Sequence, residues 1–271
     1  MSDNRPIGVF DSGLGGLTVV RELQKIMPQE SLVYFGDTGR VPYGTKSEET
    51  IKLYTRQDIE FLLSQNVKAI IAACGTVSSV ALPFLQNTQV SVTGVVEPSV
   101  LSAVSRTKNG KIGVIGTSAT VKSNAYGVMI KDILKGSEVY SVACPMFVPL
   151  VEAGWISRND EVTLATARRY LLPLKEKGVD TLILGCTHFP LLSDIIGDVM
   201  GDNVTLIDTG FETAHYVLQM LKKDNMTSEE NNEGVNRYFV SDRVNDFSSL
   251  AAILLGKDIS DGTQLVRVDS L

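Results

Sequence analysis

The chain has 271 residues, of which 44% are hydrophobic and 21% charged, enough apolar content for one large core or two modest ones and too much for a disordered chain. A net charge of −6 without a lysine or arginine run argues against a nucleic-acid partner, and no apolar run approaches the ~20 residues that a membrane span needs. Three cysteines, in neither Cys-x-x-Cys nor metal-ligand spacing, support neither a disulfide framework nor a metal centre, so the thiols are expected to be reduced and the ligand small.

Met1 to Pro6 lacks the basic and apolar regions of a signal peptide, so a cytoplasmic location is expected. Pro6 to Phe10 reads as a short strand ending at Asp11-Ser12-Gly13-Leu14-Gly15-Gly16, with a helical stretch from Leu17 to Met27 directly after it. A strand, a glycine turn and a helix start together aim backbone N–H groups at a ligand. These glycines match neither G-x-G-x-x-G nor the P-loop, and Asp11 at the mouth would repel a phosphate, so an ammonium group suits the place better. Ser31 to Phe35 reads as a second strand. It opens into Gly36 to Gly44, a loop too rich in glycine and proline to be regular and of the kind that carries binding. Lys46 to Gln65 reads as a helix. Ala69 to Ala73 is an apolar strand that delivers Cys74-Gly75-Thr76 to a helix start, and Val90 to Val96 is a further strand ending at Glu97-Pro98.

The chain then begins again. Lys111 to Thr117 echoes Pro6 to Ser12 at an offset of 105, and Val204 to Asp208 echoes Thr93 to Glu97 at an offset of 111. The apolar run Thr181 to Gly185, which delivers Cys186-Thr187-His188, echoes the Cys74 strand at an offset of 112. Three echoes at similar offsets point to an internal duplication. Between them lie a strand from Val139 to Ala143, the apolar stretch Cys144 to Glu152 and a helix from Asp160 to Lys175. After Gly210 a helix runs to Lys223, and Asp224 to Gly234 is polar enough to be an exposed loop. Arg237 to Val240 and Gln264 to Val268 read as strands around a helix from Val244 to Leu255, and they are expected to return to the first half. The predicted architecture is α/β. Two pseudo-symmetric domains, residues 1–97 with 208–271 and residues 98–207, each hold a mostly parallel sheet flanked by helices, with the active site in the cleft between them.

Cys74 and Cys186 each leave a strand end and enter a helix start, where the helix dipole lowers a thiol pKa. Cys144 lacks that setting and reads as a small buried hydrophobe. His188, two residues from Cys186, is an acid–base partner for that thiol, whereas His215 lies within a helix and reads as structural. Asp11 and Glu152 end apolar runs, where burial raises a carboxyl pKa. Asp-Ser/Thr-Gly triplets at Asp11, Asp37 and Asp208 resemble the paired triplets of aspartic proteases, but that fold is all β and the duplication here pairs cysteines. Two opposed thiols, two carboxylates and a histidine fit removal of a proton from one face of a carbon and delivery to the other. A papain-like hydrolase would use one thiol and leave the duplication unexplained, and a non-catalytic two-domain amino-acid-binding protein would need neither.

Val9-Phe10-Asp11-Ser12-Gly13, Gly36-Asp37-Thr38, Arg40-Val41-Pro42-Tyr43-Gly44, Cys74, Thr76, Pro149-Leu150-Val151-Glu152 and Leu184-Gly185-Cys186-Thr187-His188 together resemble the cofactor-independent glutamate racemases over nearly the whole chain. The resemblance implies interconversion of L- and D-glutamate for peptidoglycan synthesis with no metal or other cofactor, with glutamate as the small-molecule partner and a homodimer as a compatible assembly. By position, Cys74 deprotonates D-glutamate with help from Asp11, and Cys186 deprotonates L-glutamate with help from Glu152 and His188. Asp11 and Ser12 meet the amino group, Tyr43 and Gly44 the side-chain carboxylate, and Gly75, Thr76 and Thr187 the α-carboxylate. The related aspartate racemases usually carry an acidic residue after Cys-Thr, so Thr187-His188 favours glutamate over aspartate. The family usually reads Cys-Asn-Thr at the first cysteine, and this chain reads Cys74-Gly75-Thr76. A water, or Thr117 or Thr120 from the facing half, is expected to fill the space that the missing amide leaves.

Overall fold

Short apolar runs that end at glycine or polar residues become parallel strands covered on both faces, the burial that parallel sheets require. The computed structural model describes residues 2–229, 232–242, 244–256 and 258–268. In the first half, β1 (Ile7–Asp11), β2 (Leu32–Gly36) and β3 (Ala69–Ala72) are buried along their whole length. They alternate with α1 (Leu17–Ile26), α2 (Glu48–Ser64) and α3 (Gly75–Val80), and β4 (Ser91–Gly94) follows. α1 turns Leu17, Val19, Val20 and Leu23 inward, and α2 starts on Ser47, whose side chain accepts the Thr50 N–H.

The strand expected from Val90 to Val96 stops at Gly94, and α4 (Val96–Arg106) takes up Glu97 and Pro98. Proline is tolerated in a first helical turn because its missing N–H would have no partner there, so Pro98 marks a helix start rather than an end. The second half runs through β5 (Lys111–Gly116), α5 (Ser118–Ser123), α6 (Ala125–Ile133), β6 (Glu138–Ala143), α7 (Phe147–Glu152) and α8 (Glu161–Glu176). It continues through β7 (Thr181–Leu184), α9 (Ser193–Met200) and β8 (Thr205–Asp208). α10 (Thr209–Lys223), β9 (Asn236–Val240), α11 (Val244–Leu255) and β10 (Thr263–Leu265) complete the described chain. The last strand is displaced from the expected Gln264 to Val268 and is shorter.

Among the described residues the strands form two sheets, in the orders β10-β9-β2-β1-β3-β4 and β6-β5-β7-β8. Every pair is parallel. The series β2-β1-β3-β4 and β6-β5-β7-β8 are the same arrangement twice, so the echoes of β1 in β5 and of β3 in β7 fall on equivalent strands, whereas of the echo between Thr93 to Glu97 and β8 only Thr93 and Gly94 lie in β4. β9 and β10 extend the first sheet beyond β2. No helix of the described residues is long and apolar enough to cross a membrane.

One buried ion pair ties the amino-terminal edge of the first sheet. Lys68, 1% exposed, donates to Glu30 Oε2 at 2.6 Å and to the carbonyls of Asp3 at 2.6 Å and Met226 at 2.7 Å. Glu30 Oε1 accepts the Ser228 N–H at 2.7 Å. The polar segment after α10 is therefore pinned at its first residues rather than simply exposed. Removing one partner strands a buried charge, so Glu30→Ala should destabilise by about 3–5 kcal/mol, toward the lower end because two carbonyls still receive the ammonium. Denaturant unfolding measures this, and a loss below about 1 kcal/mol would show that the pair does not hold this edge.

Candidate active site

The two sheets point their carboxyl ends at a shared cavity of about 290 Å³, the size of a small metabolite. Ser12 and Gly13 after β1, Val41 to Thr45 after β2 and Cys74 to Thr76 after β3 line one side. Thr117 and Ser118 after β5, Cys144 to Glu152 in part after β6, and Cys186 to His188 after β7 line the other. Each wall is thus built from the ends of three equivalent strands. Thr76 Oγ1 and Thr117 Oγ1 meet at 2.9 Å between the walls, and Thr117 Oγ1 donates to Thr120 Oγ1 at 3.0 Å.

Cys74 and Cys186 are free thiols, each 6% exposed. Cys74 is the residue before α3, yet burial pushes its thiol up to about 12, with the Asp11 carboxylate adding to the rise and a hydrogen bond to Ser12 Oγ at 3.5 Å opposing it. The expected lowering by the helix dipole is overridden here, because α3 is short and the thiol buried. Cys186 does not enter a helix directly. A turn and the 3-10 segment Phe189–Leu192 separate it from α9, and its neighbour is His188, with Sγ 3.9 Å from Nδ1.

His188 is 9% exposed. Burial alone would lower its pKa, but Cys186 and Glu152 beside it and the Asp11 charge outweigh that and hold it up to about 10. Its Nε2 stands 3.4 Å from Glu152 Oε1, an electrostatic contact without hydrogen-bond alignment, and Nε2 has no hydrogen-bond partner. Glu152 departs from the buried carboxylate expected at the end of an apolar run. It is the last residue of α7, and its side chain is 46% exposed at the cleft.

Asp11 lies deeper than expected. It is 1% exposed and stands behind the wall formed by Ser12 and Gly13, not at the mouth. Burial raises its pKa against the His188 charge and backbone N–H bonds, of which Gly13 N–H to Oδ2 measures 3.0 Å. Oδ1 is buried and has no hydrogen-bond partner. Tyr43 and Gly44 reach the cavity, but the Tyr43 hydroxyl turns away from it and donates to Asp37 and, at 3.1 Å, to Asp58. Arg40 bridges the same two carboxylates at 2.6 and 2.9 Å. Tyr43 therefore offers the cavity its backbone, and its phenol anchors the Gly36 to Gly44 loop.

The three aspartate triplets have separate duties. Asp11 closes its own turn, Asp37 holds Arg40 and Tyr43, and Asp208 caps α10 by accepting the Gly210 and Phe211 N–H groups. His215, read as structural, lies outside the cleft with Nδ1 3.0 Å from the Phe211 carbonyl. Cys144, read as core, is buried but also lines the cavity with Pro145 and Val148. Its place one residue past β6 was the available signal, since ligand sites in such sheets gather at strand carboxyl ends. Neither Thr117, Thr120 nor a cavity occupies the space beside Gly75. The Gly185 carbonyl oxygen does, 2.3 Å from where a side-chain carbon at position 75 would stand.

Among the described residues the cavity wall carries no lysine or arginine, so His188 is its only side chain able to hold positive charge at neutral pH. No group of three or more His, Cys, Asp or Glu among the described residues is placed to hold a metal ion.

Residues 16–217 match the Asp/Glu/hydantoin racemase family. The chain is 46% identical over 262 residues to the glutamate racemase of Geobacter metallireducens, covering 96% of each. Its fold superposes on the glutamate racemase of Francisella tularensis in complex with D-glutamate with a TM-score of 0.92, at 37% identity and covering 99% of this chain and 100% of the other. For the Thermus thermophilus glutamate racemase in complex with β-chloro-D-alanine the TM-score is 0.89 at 40% identity, covering 100% of both chains. The aspartate racemase of Picrophilus torridus shares the fold alone, with a TM-score of 0.58 at 18% identity, covering 80% of this chain and 94% of the other. The chain belongs to the Asp/Glu/hydantoin racemase family and groups within it with the glutamate racemases.

Proposed function

We propose that this racemase interconverts L- and D-glutamate by passing the Cα proton between Cys186 and Cys74 on opposite faces of the substrate, and that the D-glutamate feeds peptidoglycan synthesis. The observation that carries this reading is the pair of free thiols at the ends of the equivalent strands β3 and β7, facing one cavity. The two halves, residues 1–97 with 208–271 and residues 98–207, act as the two domains, with α4 running across their boundary.

With L-glutamate bound, Cys186 takes the Cα proton as a thiolate, and the His188 imidazolium supplies its counter-charge. The electron pair left at Cα delocalises into the α-carboxylate, which Gly75, Thr76 and Thr187 receive through backbone N–H and hydroxyl groups. Cys74 holds its proton as a thiol, since its pKa is pushed up to about 12, and delivers it to the opposite face to give D-glutamate. In the reverse direction Cys74 must start as the base. Asp11, whose carboxyl is raised by burial and whose Oδ1 is unpartnered, is placed to receive that proton. Ser12 meets the amino group at the wall with the Asp11 charge behind it, the Tyr43 and Gly44 backbone meets the side-chain carboxylate, and Glu152 keeps His188 charged. Incubation with L-glutamate in deuterium oxide tests the reading: the circular dichroism signal should decay to zero as deuterium enters Cα. Unchanged substrate would leave a binding protein, and faster turnover of aspartate would move the substrate assignment.

Cys74→Ser and Cys186→Ser should each lower kcat/KM by about 10²–10⁴-fold, the usual worth of a positioned acid or base. Enantiomers have equal free energies, so the loss must be the same in both directions. Sidedness should appear only in elimination from a glutamate analogue with a leaving group at Cβ, which needs one thiol. Cys74→Ser should retain it for the L-configured analogue and Cys186→Ser for the D-configured one. Normal racemisation by either variant would end the two-thiol mechanism.

A second expectation concerns pH. His188 keeps its proton below about 10 and loses it above, so kcat/KM should fall as pH rises through that value. His188→Asn should remove this limb along with most of the activity. A profile in the unsubstituted enzyme that stays flat well above that pH would show that the imidazolium is not required.

A further inference from the structure

Three glycines converge on one carbonyl between the thiols. The Gly185 oxygen lies 2.3 Å from the point where a side-chain carbon on Gly75 would stand, and 3.6 Å from the corresponding point on Gly116. Gly185 itself is backed closely, since a side-chain carbon there would be 2.7 Å from the Ile115 carbonyl oxygen and 3.3 Å from the Tyr126 ring. Its N–H also donates to Ile115 O at 2.7 Å, so it is fixed to β5 from behind. Gly75 begins α3 directly after Cys74, and Gly185 directly precedes Cys186. Gly15 makes a different kind of close approach, because the atoms nearest to it, the Thr187 hydroxyl and Cβ and the His188 ring, all belong to side chains. A carbonyl in a held backbone cannot.

We propose that Gly75 is the spacing residue of the reaction centre: by carrying no side chain it lets the backbone before Cys186 rest against the backbone after Cys74, and this contact sets the distance over which the proton is passed. The inference rests on the two-thiol reading. A side chain at position 75 must push Gly185 away by about 1 Å to reach an ordinary contact, and Cys186 moves with it. Misplacement of about 1 Å at a reacting centre costs as much as 10²-fold in rate. Gly75 is thus a positioning residue, and in this chain a side chain there holds the cleft slightly open.

Gly75→Ala and Gly75→Asn test this. Both should lower kcat for racemisation at least tenfold in each direction, with KM moving less, since the backbone N–H at position 75 survives. Elimination from the β-substituted analogue should be largely retained. There one thiol takes the Cα proton, the Cβ bond to the leaving group breaks and the leaving group departs as an anion, so no second thiol is needed. A role confined to folding or to substrate binding would lower racemisation and elimination together, and that outcome overturns the proposal. Unchanged or increased racemisation in either variant overturns it as well. Thermal melting confirms that the variants are folded, and the asparagine variant guards against a failure of the alanine one because the related frame accommodates that residue. Failure of the two-thiol reading itself would be seen separately, in the single-cysteine variants.

Discussion

In the proposed mechanism a sulfur carries negative charge in a buried cleft, which calls for a positive charge held beside it, and His188 is the side chain of the cavity wall that provides one. Cys186, Glu152 and Asp11 together keep its proton in place against the cost of burial. The rest of the site is arranged around this. Asp11 is buried where a carboxyl prefers to be neutral, but the His188 charge works against that preference. Cys74 lies beyond that charge, next to Asp11, and is the thiol that stays protonated. The two halves therefore share a fold but not an electrostatic environment, and the proposed mechanism uses that difference by starting with Cys74 as the acid.

The fold sets this arrangement through repetition. Two sheets with the same strand order each bring a cysteine to the end of the equivalent strand, β3 or β7, and loops after the neighbouring strands complete each wall. The loop after β2 is held by Arg40 and Tyr43 on the buried carboxylates Asp37 and Asp58. Burial and the neighbouring Asp37 push the Asp58 carboxyl well up. Burial and both carboxylates likewise raise the Tyr43 hydroxyl, which therefore remains a donor. Residues that look like substrate ligands in a one-dimensional reading are in part the anchors of the residues that bind.

Much of this was legible in the sequence. Apolar runs ending at Cys74 and Cys186, and the echo of β1 in β5, report local patterns that survive folding because parallel strands are buried on both faces. What was not legible depends on distance. An apolar run suggested that Glu152 is buried, but it ends a short helix that opens on the cleft. The sequence places Asp11 at the mouth, yet the turn it closes draws it behind Ser12 and Gly13. Pro98 reads as the end of a strand because its tolerance in a first helical turn leaves the same mark in sequence. At Gly75 a side chain or water was expected to fill the gap, whereas a main-chain oxygen from the other half does so.

The hydroxyl pair joining the walls, Thr76 and Thr117, carries a consequence of its own. Thr117 gives its one hydroxyl hydrogen to Thr120 and accepts the Thr120 N–H, so at 2.9 Å Thr76 is the donor across the walls. The bridge therefore ends on the residue that caps the start of α5, so the contact between the walls is anchored to a helix end rather than to a free side chain. A contact made of two hydroxyls keeps the walls together without drawing on any group that titrates near neutral pH.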